Sequence, residues 1–273
     1  MQAREDRVVG VLLGLAAGDR IGGPVRMAVR VAESLRDNGG VDVSDIGGRY
    51  LDWWREGAFD TGPTVAQVLS LVESGVPFEQ ASLRVHERLG GMTAGCNPAH
   101  RIAPLAMWAP LADRALDQAA IAEACLTHRH PLAGEVAAVV AHLCRALIRG
   151  VPWSTALGVV AGGRSPETCR AVEVPHAGEL SRGGFAPEVL RSAIHFLDTS
   201  DSLSTALARS VDFAGPANYC PVLVGSIGGA RWGRSQIEES VLRHLGDLLP
   251  RLTTVALALG TGWRNGDGSL HDA

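Results

Sequence analysis

Residues 8–24 read VVGVLLGLAAGDRIGGP, and this stretch carries the strongest signal of the fold class. Apolar side chains occur on nearly every side of a helix drawn through 8–17, which is typical of a helix buried on all its faces. The run fits neither a signal peptide nor a membrane span, because it is short, contains two glycines and runs directly into the polar segment 18–20. We therefore expect a core helix of a globular protein.

The rest of the chain shows the same helical signal. Apolar residues recur at spacings of three and four in most segments, and strand-like alternation over five or more residues is hard to find. Residues 162–184 are rich in Gly, Pro and Arg and predict a long surface loop with short helical pieces. The pattern predicts one all-α domain over 1–260 and a flexible polar tail over 261–273. The predicted helices after the first span 26–35, 64–74, 78–89, 115–126, 131–149, 153–160, 187–197, 200–211, 221–231, 236–245 and 249–259.

The composition restricts the possible functions. A chain of 273 residues is long for one average domain but fits a single large helical one. The formal net charge is -4, every basic side chain is arginine, and no basic stripe appears, so we expect no nucleic-acid partner. The five cysteines are scattered without a C-x-x-C pair, which predicts reduced thiols. We expect a cytoplasmic protein without a membrane segment, and a monomer by default.

Five motifs occur in an order that resembles one family. GLAAGDRIGGP at 14–24 resembles its first-helix signature, GCNPAHRIAPL at 95–105 resembles its ligand-holding loop, and TH at 127–128 resembles a T-H element before a helix. FLDT at 196–199 and GSIGGARWG at 225–233 resemble two later motifs. The chain is thus similar to the ADP-ribosylglycohydrolases, which include the dinitrogen-reductase-reactivating and the protein-ADP-ribosyl-arginine hydrolases. The resemblance implies a compact, single-domain orthogonal helical bundle and a small nucleotide or ADP-ribosyl ligand.

The chain departs from this family at the positions of its metal-binding carboxylates. The family motif T-D-D-T aligns with TGPT at 61–64, and the motif G-G-D-x-D-T aligns with AGPANY at 214–219. A glutamate of many relatives aligns with Arg26, which reverses the charge. Two Mg²⁺ or Mn²⁺ ions need several anionic oxygens in one place. The resemblance therefore implies a divergent member that has lost the dinuclear metal site, and we expect no metal and no other cofactor.

Two carboxylates beside these motifs, Asp60 and Asp19, are the candidate catalytic residues. Helix capping is the competing interpretation for Asp60 and Thr61, and a buried structural carboxylate is the competing one for Asp19. His100, beside Arg101, and Arg26 would make the cleft attractive to phosphate or carboxylate. The candidate ligand-binding residues are Thr61, Gly95, Cys96, Asn97, His100, Arg101, His128, Asn218, Tyr219 and Arg26.

The sequence leaves two functions open. In the first, the protein cleaves an N-glycosidic bond of an ADP-ribosyl, nicotinamide-nucleotide or nucleoside-like substrate without metal. Asp60 would then stabilise the oxocarbenium-like state or activate water. In the second, it is a non-catalytic relative that binds ADP-ribose or a partner protein. The missing carboxylates favour the second function, whereas the loop 95–101 fits both, because binding a diphosphate does not need the metals. Hydrolase is our family-level prediction.

Overall fold

The computed structural model describes residues 3–263. Helices follow one another along this whole range, as the spacing of apolar residues in the sequence predicts. No strand occurs among these residues, where one isolated bridge joins Gly95 to Phe185. The all-α prediction is confirmed. The helices are α1 (Ala3–Gly18), α2 (Gly23–Asn38), α3 (Val43–Arg55), α4 (Gly62–Glu73), α5 (Phe78–Arg88), α6 (Asn97–Arg101), α7 (Pro104–Met107), α8 (Asp113–Ala124), α9 (Pro131–Ile148), α10 (Trp153–Ala161), α11 (Pro166–Val172), α12 (Ala186–Asp198), α13 (Leu203–Ala214), α14 (Cys220–Trp232) and α15 (Leu248–Thr261).

Glycines on α1 and α14 allow these two helices to meet backbone to backbone. A Cβ added at Gly14 would overlap the backbone of Gly225, and one added at Gly10 would overlap that of Gly229. Both helices are buried along most of their length. The apolar run at the start of the chain is therefore a core helix, as its pattern predicts.

The helix α9 packs beside α14 and belongs to the same core. By length and composition its 18 residues could cross a membrane, but 72% of that window is buried inside the protein. Pro131 opens the helix, where the backbone N–H that proline lacks has no helical partner in any case. Its apolar character is thus accounted for by packing within the domain.

Two of the next three segments differ from the helices that the sequence predicts. The pattern misses α3, because Gly47 and Gly48 interrupt it, but Asp42 caps this helix by accepting a hydrogen bond from the Asp45 N–H at 3.0 Å. The predicted loop 162–184 contains α11, a helix of 7 residues, which agrees with the short helical pieces expected there. The predicted helix 236–245 is wrong in type, since two 3₁₀ segments, Arg234–Gln236 and Glu239–Leu245, occupy this region.

The C-terminal part of the described chain packs onto the core. Thr261 is the last residue of α15, and the indole Nε1 of the buried Trp263 donates a hydrogen bond to the Met107 carbonyl oxygen at 2.7 Å. The rest of the predicted tail, 264–273, lies outside the described residues and stays a prediction.

Several helix ends converge on one side of the molecule. They are the C-terminal end of α1 and the N-terminal ends of α2, α4 and α14. The short helix α6 and the turn before α9 complete this region. Loops and first turns, rather than helix faces, therefore form the candidate site.

Candidate active site

A pocket of about 440 Å³ lies where these helix ends meet. This volume falls within the usual range of small-molecule sites, about 300–1,000 Å³. The sequence segments 60–65, 95–97 and 216–219, which are far apart in the chain, contribute to its wall. The predicted site residues that line it are Asp60, Thr61, Gly95, Cys96, Asn97, His100, His128, Asn218 and Tyr219.

Asp60 holds its carboxylate on the pocket wall through an unusual backbone conformation. Its φ of 53° lies in the left-handed region, which Asp and Asn tolerate better than most residues. The half-buried carboxylate accepts a hydrogen bond from the Gly23 N–H at 3.4 Å, and a Cβ at Gly23 would overlap the Asp60 backbone. Burial raises the pKa of the Asp60 carboxyl, and the nearby charge of Asp19 raises it further. These properties suit a group that accepts a proton.

Neither the Asp60 nor the Thr61 side chain makes a capping hydrogen bond to α4, so the capping interpretation is wrong for this helix. Thr61 is the N-cap residue, but its side chain makes no capping hydrogen bond and instead donates to the Gly62 carbonyl oxygen at 3.4 Å. Asp60 contacts the first residue of α2 rather than α4. The first turn of α4, including Thr64 and Val65, lines the pocket.

Asp19 is fully buried, and protein donors occupy both of its carboxylate oxygens. Its Oδ2 accepts from the Val25 N–H at 2.7 Å, and its Oδ1 accepts from the Gly22 N–H at 2.7 Å and from the Asn218 side-chain amide. Asp19 is not among the residues that line the pocket. The geometry favours its structural interpretation over a catalytic one.

Asn218 connects the two carboxylates. Its buried side chain donates a hydrogen bond to Asp19, and its amide oxygen accepts one from the Arg20 N–H at 3.2 Å. A hydrogen bond from Asn218 also opposes the rise of the Asp60 pKa. An amide suits this position because it donates to both carboxylates without adding a third negative charge.

The loop 95–97 is fixed between two other segments of the wall. The Cys96 N–H donates to the Gly184 carbonyl oxygen at 3.0 Å, and the Asn97 side-chain amide donates to the Thr61 carbonyl oxygen at 3.3 Å. Burial raises the pKa of the Cys96 thiol to about 12. Cys96 therefore acts as an apolar wall residue and not as a nucleophile.

His100 and His128 are buried and uncharged at neutral pH. Burial lowers the pKa of His100 to about 4 and that of His128 to about 3, and the positive charge of Arg101 contributes to both shifts. A hydrogen bond between the His100 ring and the Tyr219 backbone opposes the fall of the His100 pKa. The Nδ1 of His128 lies 2.8 Å from the Thr127 Oγ1. The Nε2 of His100 is buried without a hydrogen-bond partner among the described residues. Two neutral imidazoles thus face the ligand space.

Arg101 does not reach this space, which corrects its predicted role in ligand binding. Its side chain is fully buried, and its Nε donates to Glu123 Oε1 at 2.6 Å. One Nη group donates to the Asn97 side-chain oxygen, and the other donates to Thr127 Oγ1 at 2.9 Å. The hydroxyl of Tyr50 donates to the same Glu123 oxygen at 2.6 Å. Arg101 therefore positions pocket residues from behind.

Arg26 also lies outside the pocket lining, and its predicted ligand contact is corrected. Its guanidinium group lies 4.7 Å from the centre of the Phe59 ring and donates a hydrogen bond to the Gly22 carbonyl oxygen at 3.0 Å. This cation–π contact and the hydrogen bond hold the guanidinium group outside the pocket lining.

Comparison with known proteins agrees with this arrangement. The sequence model of the family described as ADP-ribosylglycohydrolase matches residues 25–266. The chain belongs to the ADP-ribosylglycohydrolase family. The ADP-ribosyl-[dinitrogen reductase] glycohydrolase of Rhodospirillum rubrum is 22% identical over 292 residues, which cover 88% of this chain and 90% of that protein. A solved ADP-ribosylglycohydrolase-related protein complex is 27% identical, with a TM-score of 0.79, and the match covers 96% of this chain and 99% of the other.

These findings confirm the family resemblance and the fold of the predicted helical bundle. Membership in the ADP-ribosylglycohydrolase family places the chain among hydrolases of glycosidic bonds.

The residues of this ADP-ribosylglycohydrolase do not fit the dinuclear metal site that the family resemblance implies. Gly62, Pro63, Pro216 and Asn218 stand where carboxylates are expected, and Asp60 is the one carboxylate among the described lining residues. No group of three His, Cys, Asp or Glu side chains within 3–263 is arranged to hold a metal ion. Hard divalent cations prefer several carboxylate oxygens, and this pocket does not supply them.

Sequence reasoning missed several residues of this site. Ile21, Pro24 and Gly184 line the pocket, and Tyr219 packs against Gly184, where an added Cβ would lie 3.3 Å from the phenol ring. Gly184 is the last residue of the predicted loop 162–184, whose role the sequence left open. Ile21 and Pro24 fall inside the first motif, so that motif was the signal that could have identified them.

Proposed function

We propose that this ADP-ribosylglycohydrolase hydrolyses an N-glycosidic bond of an ADP-ribosyl, nicotinamide-nucleotide or nucleoside-like substrate, without a dinuclear metal centre. The observation that carries the proposal is Asp60, a half-buried carboxylate with a raised pKa on the wall of a pocket of about 440 Å³. We expect the protein to act as a cytoplasmic monomer on a small ligand and not on nucleic acid.

Asp60 would assist the reaction as the one carboxylate among the described residues of the pocket wall. When the bond between C1′ of the sugar and the base nitrogen breaks, its electron pair leaves with the base and positive charge develops on the sugar. A carboxylate beside C1′ stabilises that charge, and it accepts a proton as water adds to C1′. The products are the free base and the sugar with a hydroxyl at C1′.

Other side chains of the pocket would hold the substrate. Asn97 is fixed by Thr61 and Arg101, so its position is set before a ligand arrives. The neutral ring of His100, which lines the pocket, suits a hydrogen bond with a sugar hydroxyl. The phenol of Tyr219, which is 40% exposed, lies at the pocket wall beside Gly184. Such preorganisation contributes to catalysis by orienting the substrate.

The replacement Asp60→Asn tests the assignment. Asparagine tolerates the left-handed backbone of this position, so the variant should fold while losing the charge. Hydrolysis of NAD, ADP-ribosyl-arginine and nucleosides, followed as release of the free base or of ADP-ribose, should fall by about 100-fold or more. Asp212→Asn is the matched control, since Asp212 is exposed and does not line the pocket. Unchanged activity in Asp60→Asn would exclude the carboxylate role.

Addition of Mg²⁺ or Mn²⁺ tests the metal-independent part of the proposal. A ligand at a hundredfold excess over its dissociation constant stabilises a protein by about 2.7 kcal/mol, which raises the melting temperature visibly. We expect neither ion to shift the melting temperature or to raise hydrolysis, because the carboxylates needed for tight binding are replaced. A clear shift at micromolar metal would show that the alignment of the two motifs is wrong.

A non-catalytic role in binding ADP-ribose or a partner protein is the second candidate. The observation that favours it is the single carboxylate, because most glycosidases use a pair of carboxyl groups. Calorimetry with ADP-ribose separates the two functions. Measurable binding without turnover of any substrate in the panel would support the binding role over the hydrolase.

A further inference from the structure

The wall of the pocket carries little charge, and that charge is negative. Among the lining residues that the structure describes, Asp60 is the one carboxylate, and no arginine is present. His100 and His128 are both buried, and their rings are neutral at pH 7. An anionic part of a ligand would therefore meet repulsion from Asp60 without a compensating cation.

The nearby arginines are bound elsewhere. Arg101 is paired with Glu123 behind the wall, and Arg26 lies over Phe59. Arg20 donates hydrogen bonds to the carbonyl oxygens of Gly215 and Ala217, the latter at 2.9 Å. Arginine is the usual side chain for bidentate recognition of phosphate. None of these three guanidinium groups lines the pocket.

The single carboxylate also restricts the leaving group. If Asp60 supports the sugar cation or the attacking water, no second carboxyl group and no imidazolium is present among the lining residues within 3–263 to protonate the departing base. A base that carries a positive charge while bonded to the sugar leaves as a neutral molecule and needs no such proton. Cleavage of the C1′–N bond and addition of water then give the neutral base, the sugar with a hydroxyl at C1′ and one proton. Asp60 accepts this proton from the water and releases it.

His100 is a polar group of the wall that suits a sugar. Its side chain is only 4% exposed, lines the pocket and is neutral at pH 7. A sugar hydroxyl that contacts this ring can form a hydrogen bond with it. A neutral imidazole suits a hydroxyl, which both donates and accepts.

The geometry points to a cationic N-riboside, such as a ribosyl-pyridinium, as the group that occupies this pocket, recognised by Asp60 and His100 without a phosphate contact. This inference rests on the proposed function and narrows its substrate class. The first turns of α4 and α14, whose N-cap residues Thr61 and Tyr219 make no side-chain capping hydrogen bond, are the local features that favour an anion. A phosphate held there is the competing arrangement, and the experiment below separates the two.

Three compounds test the inference with the full chain. They are nicotinamide riboside, which is cationic, its 5′-phosphate, and the reduced riboside, whose ring is uncharged. We expect kcat/KM for the riboside to equal or exceed that for the 5′-phosphate. In calorimetry the cationic riboside should bind about tenfold more tightly than the reduced one, and Asp60→Asn should remove this difference. The control Asp212→Asn should retain it.

The outcomes distinguish this inference from the proposed function. A 5′-phosphate that raises kcat/KM about tenfold or more would overturn the inference and leave the hydrolase proposal standing. Charge-dependent binding of the riboside without hydrolysis would support the inference and contradict the hydrolase proposal. Equal affinity for the cationic and reduced ribosides, or no binding of either at millimolar concentration, would overturn the inference.

Discussion

Arg101 is the residue on which the shape of the pocket depends, although it does not line it. Its guanidinium group donates to Asn97 on one wall and to Thr127, which contacts His128, on another. Glu123 supplies the counter-charge, and both side chains are fully buried. Arg101 and Glu123 are therefore positioning residues, which act on a ligand through Asn97 and His128.

This role predicts that stability and ligand affinity can be separated by substitution. Arg101→Met alone should lower the free energy of unfolding by about 3–5 kcal/mol, because it leaves the Glu123 charge buried and unpaired. The triple variant Tyr50→Phe/Arg101→Met/Glu123→Leu should regain most of this stability, since it removes both buried charges and the phenol hydroxyl that donates to Glu123. Urea unfolding measures both changes.

The triple variant should nevertheless bind nicotinamide riboside about tenfold more weakly than the natural protein, because Asn97 and Thr127 lose their donor. Calorimetry at matched folded fraction measures this affinity. A triple variant that is stable and binds the riboside with unchanged affinity would show that Arg101 serves folding alone.

The sequence predicts which segments form this site better than it predicts which partners its arginine side chains contact. Ordered motifs bring Asp60, His128 and Asn218 to one pocket, as the structure shows. The direction of Arg101 depends on Glu123, which lies 22 positions later and belongs to no motif. Arg26 turns toward Phe59, a neighbour that a linear pattern does not reveal. Side-chain partners are set by tertiary packing, so motif order alone does not predict them.

At the scale of elements, the contact between α1 and α14 controls the core. Gly14 and Gly225 face each other so closely that a Cβ on either would overlap the other backbone. Gly225→Ala should therefore lower the free energy of unfolding by about 1–3 kcal/mol or more, because the helices must separate to make room. Thermal unfolding should show a decrease of about 2–4 °C for each kcal/mol.

Gly48→Ala is the matched control for this substitution. Gly48 is exposed within α3, and an added Cβ would have no atom within 4 Å. Alanine is favoured over glycine in a helix, so Gly48→Ala should stabilise the protein by about 0.5–1 kcal/mol. A similar effect of the two substitutions would show that the α1–α14 contact tolerates a side chain.

The sequence predicts some helices correctly and others not, and the difference has physical causes. The helices α1 and α9 are long and apolar, so their periods are clear, and the structure confirms them. The same reasoning misses α3, whose paired glycines lower helix propensity, while packing of Gly47 against the Phe78 ring favours it. The apolar spacing within 236–245 fits an α-helix, yet the backbone there forms 3₁₀ turns. Tertiary contacts override local preference at these places.

At the scale of the whole molecule, buried neutral histidines link stability to pH. The pKa of His100 is about 4 and that of His128 about 3 in the folded protein, against about 6.5 for an unperturbed histidine. The unfolded chain therefore binds these protons first as the pH falls, and the free energy of unfolding decreases from about pH 6.5 downward. The lowered pKa values of His142 and His195 act with the same sign, whereas the raised pKa of Asp60 opposes them.

Between pH 7 and pH 5 His100 and His128 should each cost about 2 kcal/mol of stability, since protons bind the unfolded state over this whole window. The melting temperature should thus fall by about 10 °C across these two pH units. In the double variant His100→Gln/His128→Gln the fall should be much smaller, because glutamine does not titrate. Carboxylates with lowered pKa values, such as Asp37 and Glu135, contribute only at lower pH, where they take up protons. An equal slope of melting temperature against pH in the double variant would show that these two imidazoles are not the linked groups.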